Sequence, residues 1–187
     1  MTSVVRRATY QDVLDASPLM IAEILDGTLY TKPIEGMRRY SALHLASILG
    51  RHFRRNESGP GPWVFLLKPE LHLGNGPDIL VPDLAGWHRE RLAGLPHDAP
   101  WTTIAPDWVC ELLLPSGVAI DRGLKMDIYL REQVRHVWLI DPLALNLEIF
   151  RHGGDLWHRV AFHTGNITVR AEPFDAIELP LQWLWEP

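Results

Sequence analysis

The sequence predicts a single α/β domain, residues 1–187, in which a mixed β-sheet is flanked by helices. Three observations support this fold class. An Asp-Gly pair stands between two apolar runs near the start, two longer segments have helical periodicity, and short apolar runs of strand length follow one another. Because hairpin, helix, strands, helix and strands alternate, we expect one mixed sheet with helices packed on it.

The first elements are a short helix and a β-hairpin. Thr9, followed three residues later by Asp12, forms a capping-box pattern at a helix start. Residues 20–31 place Asp26-Gly27 between two apolar, partly β-branched runs. A two-residue type I′ turn needs positive φ at both positions, and Asp-Gly is a favoured pair there. The segment is therefore predicted to be a hairpin.

Periodicity predicts two longer helices, over residues 38–55 and 119–132. Their apolar residues recur every three or four positions, so each helix should bury one stripe. Lys125 stands at the rim of the apolar side of the second helix. The expected stripes are Leu43, Ala46, Leu49 and Phe53 in the first helix and Ile120, Leu124 and Ile128 in the second.

Short apolar runs predict the strands. A run that is apolar at successive positions, such as 108–114, is typical of a strand buried on both faces. The last part of the chain reads as short antiparallel strands separated by Gly-Gly, Thr-Gly-Asn and Glu-Pro. The predicted segments are 63–73, 79–86, 108–114, 136–141 and several pieces of 145–182.

Composition excludes several classes of protein. Hydrophobic residues make up 47% and charged residues 22% of 187 positions, which is typical of a globular chain and not of a disordered one. The single cysteine, Cys110, excludes an internal disulfide and a Cys-rich zinc module. The sequence shows neither an apolar run of the ~18 residues that a membrane helix needs nor a secretory signal, so we expect a cytoplasmic protein without membrane contact.

Acidic residues interrupt two of the apolar strands, Asp83 in the run at 79–85 and Glu111 in the run at 108–114. Burying a carboxylate is costly unless a cation or hydrogen bonds compensate it. Lys125 follows on the next helix, and its side chain is long enough to reach a strand end. Two carboxylates and a lysine suit metal-assisted phosphodiester hydrolysis, because Mg²⁺ binds through one or two carboxylates and a lysine can orient water or neutralise developing charge.

A structural interpretation of the same residues stays open. In it, Asp83 closes a turn, Glu111 pairs with an arginine, and Lys125 forms a surface pair with Asp121 one helical turn earlier. Lysine is nonetheless rare here, since only three of the 18 basic residues are lysines, at positions 32, 68 and 125. Glu23, just before the Asp-Gly turn, is either a further acidic group at the metal or a polar strand residue.

Several segments together resemble a known family. They are VPDLAGW (81–87), APDWVCELLLPS (105–116), DRGLKMDIY (121–129) and HVWLIDP (136–142), with support from EILDGTLY (23–30) and RAEPFDAIEL (170–179). In order and spacing they are similar to the Uma-type restriction-endonuclease family of small bacterial proteins. That family is a branch of the PD-(D/E)XK nuclease superfamily, and the resemblance covers almost the whole chain.

The resemblance implies a restriction-endonuclease-like core and Mg²⁺- or Mn²⁺-dependent endonuclease hydrolysis of DNA. By it, Asp83 and Glu111 are metal ligands, and the backbone carbonyl of Leu112 completes the metal site. The position two residues after Glu111 is Leu113 and not a lysine. In this branch the lysine has moved to the following helix, where Lys125 stands and would position the attacking water.

The chain also departs from the family pattern. Leu114 and Gly117 stand where the family has hydroxyl side chains, and Tyr40 stands where it often has a histidine. These departures leave two alternatives open. One is a catalytically degenerate domain that binds DNA or another protein, and the other is a hydrolase of small phosphate esters.

Two surface features bear on partners. Five arginines fall within the first long helix, which is either a phosphate-binding face for DNA or a solvated face. Two tryptophans close to the C-terminal end would form an apolar patch if exposed, so a homodimer is plausible. The residues concerned are Arg38, Arg39, Arg51, Arg54 and Arg55, and Trp183 and Trp185.

Overall fold

A computed structural model describes residues 6–34, 36–53, 62–76, 78–92, 100–115 and 117–185, with the backbone alone for 36–39. Within these ranges the helices are α1 (Tyr10–Leu14), α2 (Gly36–Phe53), α3 (Val118–Ile120) and α4 (Met126–Arg131). The strands are β1 (Met20–Leu25), β2 (Thr28–Pro33), β3 (Trp63–Leu67), β4 (Leu71–Leu73), β5 (Asp78–Leu80), β6 (Leu84–His88), β7 (Trp108–Leu112), β8 (His136–Asp141), β9 (Asn146–His152), β10 (Trp157–Thr164), β11 (Thr168–Val169) and β12 (Leu179–Pro180).

The largest sheet has the strand order β10-β9-β8-β7-β6-β3. In this sheet β7 and β8 are parallel, and every other pair of neighbouring strands is antiparallel. The predicted mixed sheet flanked by helices is therefore confirmed. The structure adds that the N-terminal hairpin lies in a separate sheet with the order β2-β1-β5-β4. Strands β11 and β12 form a small third sheet.

The local turn predictions are confirmed. Leu25 pairs with Thr28, so the hairpin loop is the two residues Asp26 and Gly27, with φ of 48° and 76°. Both values are positive, as a type I′ turn requires. At α1, the Thr9 amide donates to the carboxylate of Asp12, which completes the predicted capping box.

The two faces of the six-stranded sheet carry different helices. Trp108, Cys110 and Leu112 of β7 belong to the apolar cluster that contains the buried side of α2. Val109 and Leu113 belong to the cluster that contains α4. Because side chains alternate along a strand, the intervening Glu111 faces α4.

The stripe predicted for α2 is partly wrong. Leu49 and Phe53 are buried as expected, but Leu43 is 58% exposed, and Ala42 and Leu45 take the buried positions instead. Successive residues of a helix are about 100° apart around its axis. A buried stripe can therefore be misplaced by one position where several apolar residues are adjacent.

The second long helix departs more strongly from its prediction. A π-helical turn, Asp121–Lys125, separates α3 from α4. Ile128 is buried as expected, but Ile120 and Leu124 are only half-buried, whereas Asp121 and Lys125 are buried. The π-helical turn therefore directs two polar side chains toward the sheet, while α4 keeps apolar residues buried there.

The C-terminal tryptophans do not form one exposed patch. Trp185 is buried and its Nε1 donates to Asn166 Oδ1 at 2.8 Å, whereas Trp183 is exposed. Arg51 is exposed at the end of α2, and the side chains of Arg38 and Arg39 and residues 54 and 55 lie outside what the structure describes. None of the described helices is both long enough and apolar enough to span a bilayer.

Candidate active site

The pairing of β6 with β7 sets Asp83 opposite Glu111. The last pair is Leu84 with Cys110. Asp83 is the residue before Leu84, and Glu111 is the residue after Cys110. Side-chain alternation places both acids on the sheet face that carries α4. The Leu112 amide donates to Asp83 Oδ2 at 2.9 Å, which fixes this carboxylate across the two strands.

Lys125 reaches this face from the π-helical turn. Its Nζ lies 2.6 Å from Glu111 Oε1 and 2.9 Å from Glu23 Oε1, and the side chain is fully buried. The Tyr129 hydroxyl donates to the same Glu111 oxygen at 2.6 Å. Lys125 of the π-helical turn and Tyr129 of α4 thus contact one carboxylate. Turns of this kind are frequent at functional sites.

Glu23 comes to the site from the other sheet. It lies on β1, and the residue that follows it, Ile24, pairs with Ile79 of β5. Glu23 Oε1 accepts a hydrogen bond from the Val81 amide at 2.7 Å. Glu23 is a buried strand residue that pairs with Lys125, and a role at a metal stays a prediction. This contact between sheets could not be read from local sequence.

All three lysines of the chain meet these acids. Lys32 Nζ lies 3.4 Å from Glu23 Oε2 and 3.5 Å from Asp121 Oδ1. Lys68 Nζ lies 3.9 Å from Asp83 Oδ1. We define the acid–lysine cluster as Glu23, Lys32, Lys68, Asp83, Glu111, Asp121 and Lys125. Sequence reasoning singled out Asp83, Glu111 and Lys125 but not the approach of Lys32 and Lys68 to these acids, although the rarity of lysine was a usable signal.

Asp121 approaches Lys125 as well, with Oδ1 3.7 Å from Nζ. The residues are four apart, as the sequence suggested, but the pair is buried and not on the surface. Asp121 therefore holds Lys125 from within the helix, while Glu23 and Glu111 hold it from the two sheets.

Burial and charge act in opposite directions on these groups. Burial raises the pKa of Glu111 to about 7, although the Lys125 ammonium opposes it. Burial also raises the pKa of Glu23, but Lys125 and Lys32 outweigh it and bring the value below its usual range. Burial lowers the pKa of Lys125, yet Glu111 and Glu23 hold it well above the usual range. Lys125 is therefore a permanent cation near neutral pH.

A comparison with known families shows where the chain belongs. A family model described as "Putative restriction endonuclease", Uma2, matches residues 8–182. The chain belongs to the Uma2 family. This confirms the resemblance found in the sequence, which was expected to cover almost the whole chain.

A solved structure supports the Uma2 fold. The chain is similar to a putative nuclease of DUF820 from Anabaena variabilis, with a TM-score of 0.72 and 19% sequence identity. The similarity covers 88% of this chain and 89% of that one. At this identity it supports the restriction-endonuclease-like fold alone. No curated protein matches the chain at a significant level.

The residues of this Uma2 chain fit a magnesium ion. Among the described residues, no group of three or more His, Cys, Asp or Glu side chains is arranged to hold a metal by itself. Mg²⁺, however, needs only one or two carboxylates and keeps several waters. Glu111 Oε2 is inaccessible to solvent and accepts no hydrogen bond from the part of the chain that is described. A buried carboxylate oxygen in this state is suited to a cation.

Other acidic and aromatic residues have separate roles. Asp78 accepts a hydrogen bond from the Asp26 amide at 2.6 Å and pairs with Arg131, so it ties the hairpin turn to α4. Tyr40, which stands in place of the family histidine, stacks on His44 with ring centroids 4.3 Å apart.

Proposed function

We propose that this chain is a Mg²⁺- or Mn²⁺-dependent endonuclease that hydrolyses phosphodiester bonds in DNA. The observation that carries the proposal is that Asp83, just before β6, Glu111 of β7 and Lys125 of the π-helical turn lie on one sheet face. Membership of the Uma2 family supports a nuclease.

In the proposed site, Asp83 and Glu111 would hold the cation, with the backbone carbonyl of Leu112 as a further ligand. The cation, when bound, polarises the phosphate and makes a bound water more acidic. Tyr129 donates to Glu111 Oε1 and the Leu112 amide donates to Asp83 Oδ2, so one oxygen of each carboxylate is fixed by the protein. The amide and the hydroxyl keep both carboxylates oriented before the cation arrives.

Lys125 would act as a charged hydrogen-bond donor. Its pKa lies well above the usual range beside Glu111 and Glu23, so it retains its proton. An ammonium can orient the attacking water and stabilise negative charge on the phosphate in the transition state. Asp121 and Glu23 position it for this role, because each contacts the same Nζ.

The proposal is tested with the variants Asp83→Ala and Glu111→Ala. Cleavage of duplex and single-stranded DNA is measured with Mg²⁺ or Mn²⁺, and cation binding is measured by calorimetry. We expect each variant to lose cleavage by at least about 100-fold, since each removes a ligand of the charge-stabilising cation. Asp127→Ala is the matched control, because Asp127 is an exposed carboxylate on α4.

Two results would refute the proposal. One is cleavage by both variants at the wild-type rate. The other is wild-type protein that neither cleaves DNA nor binds a divalent cation through Glu111, which would favour the degenerate domain that binds DNA or protein. Hydrolysis of small chromogenic phosphate esters without cleavage of DNA would favour the third alternative.

A further inference from the structure

Glu148 of β9 lies on the same sheet face as the candidate active site. It pairs with Leu139 of β8, which in turn pairs with Glu111 of β7. Residues paired across neighbouring strands point to the same side of a sheet, and Leu139 belongs to the apolar cluster that contains α4. Two strand spacings separate Glu148 from Glu111, so their backbones are about 10 Å apart. A row of side chains thus runs from Glu111 toward the edge strand β10.

Two arginines share the Glu148 carboxylate. Arg122 of the π-helical turn donates to Oε1, and Arg159 of β10 donates to Oε2 at 3.0 Å. Burial raises the pKa of Glu148, but these two hydrogen bonds outweigh it and bring the value below its usual range. One ionised carboxylate therefore faces two guanidinium groups, and the three side chains together carry more positive than negative charge.

A β-bulge in β10 brings Arg159 and Phe162 to this face together. Arg159 pairs with Phe150, Phe162 pairs with Glu148, and the register shifts between Arg159 and Ala161. Side chains three positions apart on a regular strand point to opposite faces, but the extra residue of a bulge brings them to the same one. Bulges of this kind are frequent next to active sites, where they redirect a side chain.

The arginine pair is accessible, unlike the carboxylate that it shares. The Arg122 side chain is 39% exposed and the Arg159 side chain is 56% exposed, whereas Glu148 is buried. The guanidinium carbon of Arg159 lies 5.5 Å from the centroid of the Phe162 ring, and Phe162 is 51% exposed. The charged end of Arg159 therefore lies beside an exposed ring at the edge of the sheet.

We propose that Arg122 and Arg159 form a phosphate-binding subsite for the DNA backbone beside the candidate active site, in which Glu148 orients both guanidiniums. This inference rests on the proposed function. A guanidinium has five N–H donors, so one hydrogen bond to Glu148 leaves donors on each arginine for the oxygens of a phosphate. Each strand of a duplex presents a phosphate about every 3.4 Å along its axis, so DNA bound at Glu111 extends past Glu148.

The test compares Arg159→Met, which removes the guanidinium, with Arg159→Lys, which retains a positive charge. Binding of a short DNA duplex is followed by fluorescence anisotropy over a range of salt concentrations, with Ca²⁺ in place of Mg²⁺. In Arg159→Met, DNA affinity should fall by about 10-fold, and the magnitude of the log–log salt slope should decrease by about 0.9. Arg159→Lys should keep the slope.

Cleavage with Mg²⁺ provides a second measurement. The proposed subsite binds a part of the DNA that does not react, so its contacts are the same before and in the transition state. Arg159→Met should therefore raise KM by about 10-fold and leave kcat unchanged. Arg170→Met is the matched control, because Arg170 is 55% exposed and also pairs with a carboxylate, that of Glu178. It should leave the slope and KM unchanged.

A second background separates contact with DNA from neutralisation of Glu148. Glu148→Gln removes the buried charge and keeps both arginines. If Arg159 served only to compensate the carboxylate, Arg159→Met would have no effect on DNA binding in the Glu148→Gln background. A direct contact with phosphate instead gives the same change of slope in both backgrounds. If Arg159→Met alone does not fold, the comparison is made within Glu148→Gln, where no buried carboxylate loses a partner.

The outcomes are distinguishable. A smaller salt slope and a higher KM from Arg159→Met, with or without Glu148→Gln, support the inference. Wild-type slope and KM in Arg159→Met overturn it and leave the proposed function intact. A change that disappears in the Glu148→Gln background also overturns it, because Arg159 would then act only through Glu148. Wild-type protein that neither binds nor cleaves DNA overturns both proposals.

Discussion

The two faces of the six-stranded sheet hold their helices by different forces, and strand β7 contributes to both. Toward α2 it presents Trp108, Cys110 and Leu112, which join a continuous apolar cluster. Toward α4 it presents Val109, Leu113 and, between them, the fully buried Glu111. One face thus stabilises the fold through apolar area, and the other combines apolar contacts with buried charge.

The two faces of the sheet differ in what they require of their side chains. Apolar contacts are non-directional and scale with buried area, so that face depends on volume and fit. Buried charges are costly to desolvate and are tolerated only with well-placed partners. The α4 face therefore needs Lys125, Tyr129 and the Leu112 amide in defined positions, and the same precision makes it suitable for binding a cation.

The largest effect is expected from breaking the charged face with Lys125→Met. This change leaves Glu23 and Glu111 buried without their common cation, and removing one partner of a buried pair costs about 3–5 kcal/mol. We expect the free energy of unfolding, measured with urea, to fall by that amount and DNA cleavage to be lost. Arg135→Met, an exposed cation beside Asp107, is the control. An unchanged stability would mean that the carboxylates do not depend on Lys125.

The apolar face is broken by Leu49→Ala on α2. Leu49 is fully buried, so truncation should cost about 2–5 kcal/mol in the free energy of unfolding. Cleavage per folded molecule should not change, because the cavity lies across the sheet from the acid–lysine cluster. Leu43→Ala on the same helix is the matched control, with an expected change within about 0.5 kcal/mol because Leu43 is exposed. A reduced cleavage rate in folded Leu49→Ala would show that the two faces are coupled.

A smaller effect is expected from pH in the metal-free protein. Burial raises the pKa of Glu111 from 4.5 to about 7, so the stability linked to its protonated form is complete below 4.5 and is lost as pH rises through 7. Glu111→Gln lacks this titration. The difference in free energy of unfolding, variant minus wild type, should therefore rise by up to about 3 kcal/mol between pH 5 and pH 8. Parallel stability curves for the two proteins would contradict the raised pKa.

Local sequence patterns predicted what depends on neighbours along the chain. The Asp26-Gly27 turn requires only two residues that accept positive φ, and the structure has them there. Strands β7 and β8 followed from their apolar runs. The buried stripe of α2 was misplaced at Leu43, because periodicity gives a helix face only to within about one residue.

Local sequence patterns also predicted only part of the candidate site. Asp83 and Glu111 interrupt apolar runs of the sequence, and a carboxylate in such a place is conspicuous in the sequence alone. Lys32 and Lys68 occupy ordinary surroundings in the sequence, next to Pro33 and Pro69. Their approach to the acids depends on the pairing of distant strands, which no local pattern contains.

By itself, the sequence determined the types of element, the mixed sheet and the positions of two costly carboxylates, because these follow from periodicity, turn chemistry and the cost of desolvation. The tertiary structure alone decided that Asp121 and Lys125 of the second long helix are buried and that all three lysines meet four acids. The physical reason is that charge compensation is a matter of distance in space. A buried acid requires a cation within a few ångströms, and only the folded chain specifies which one supplies it.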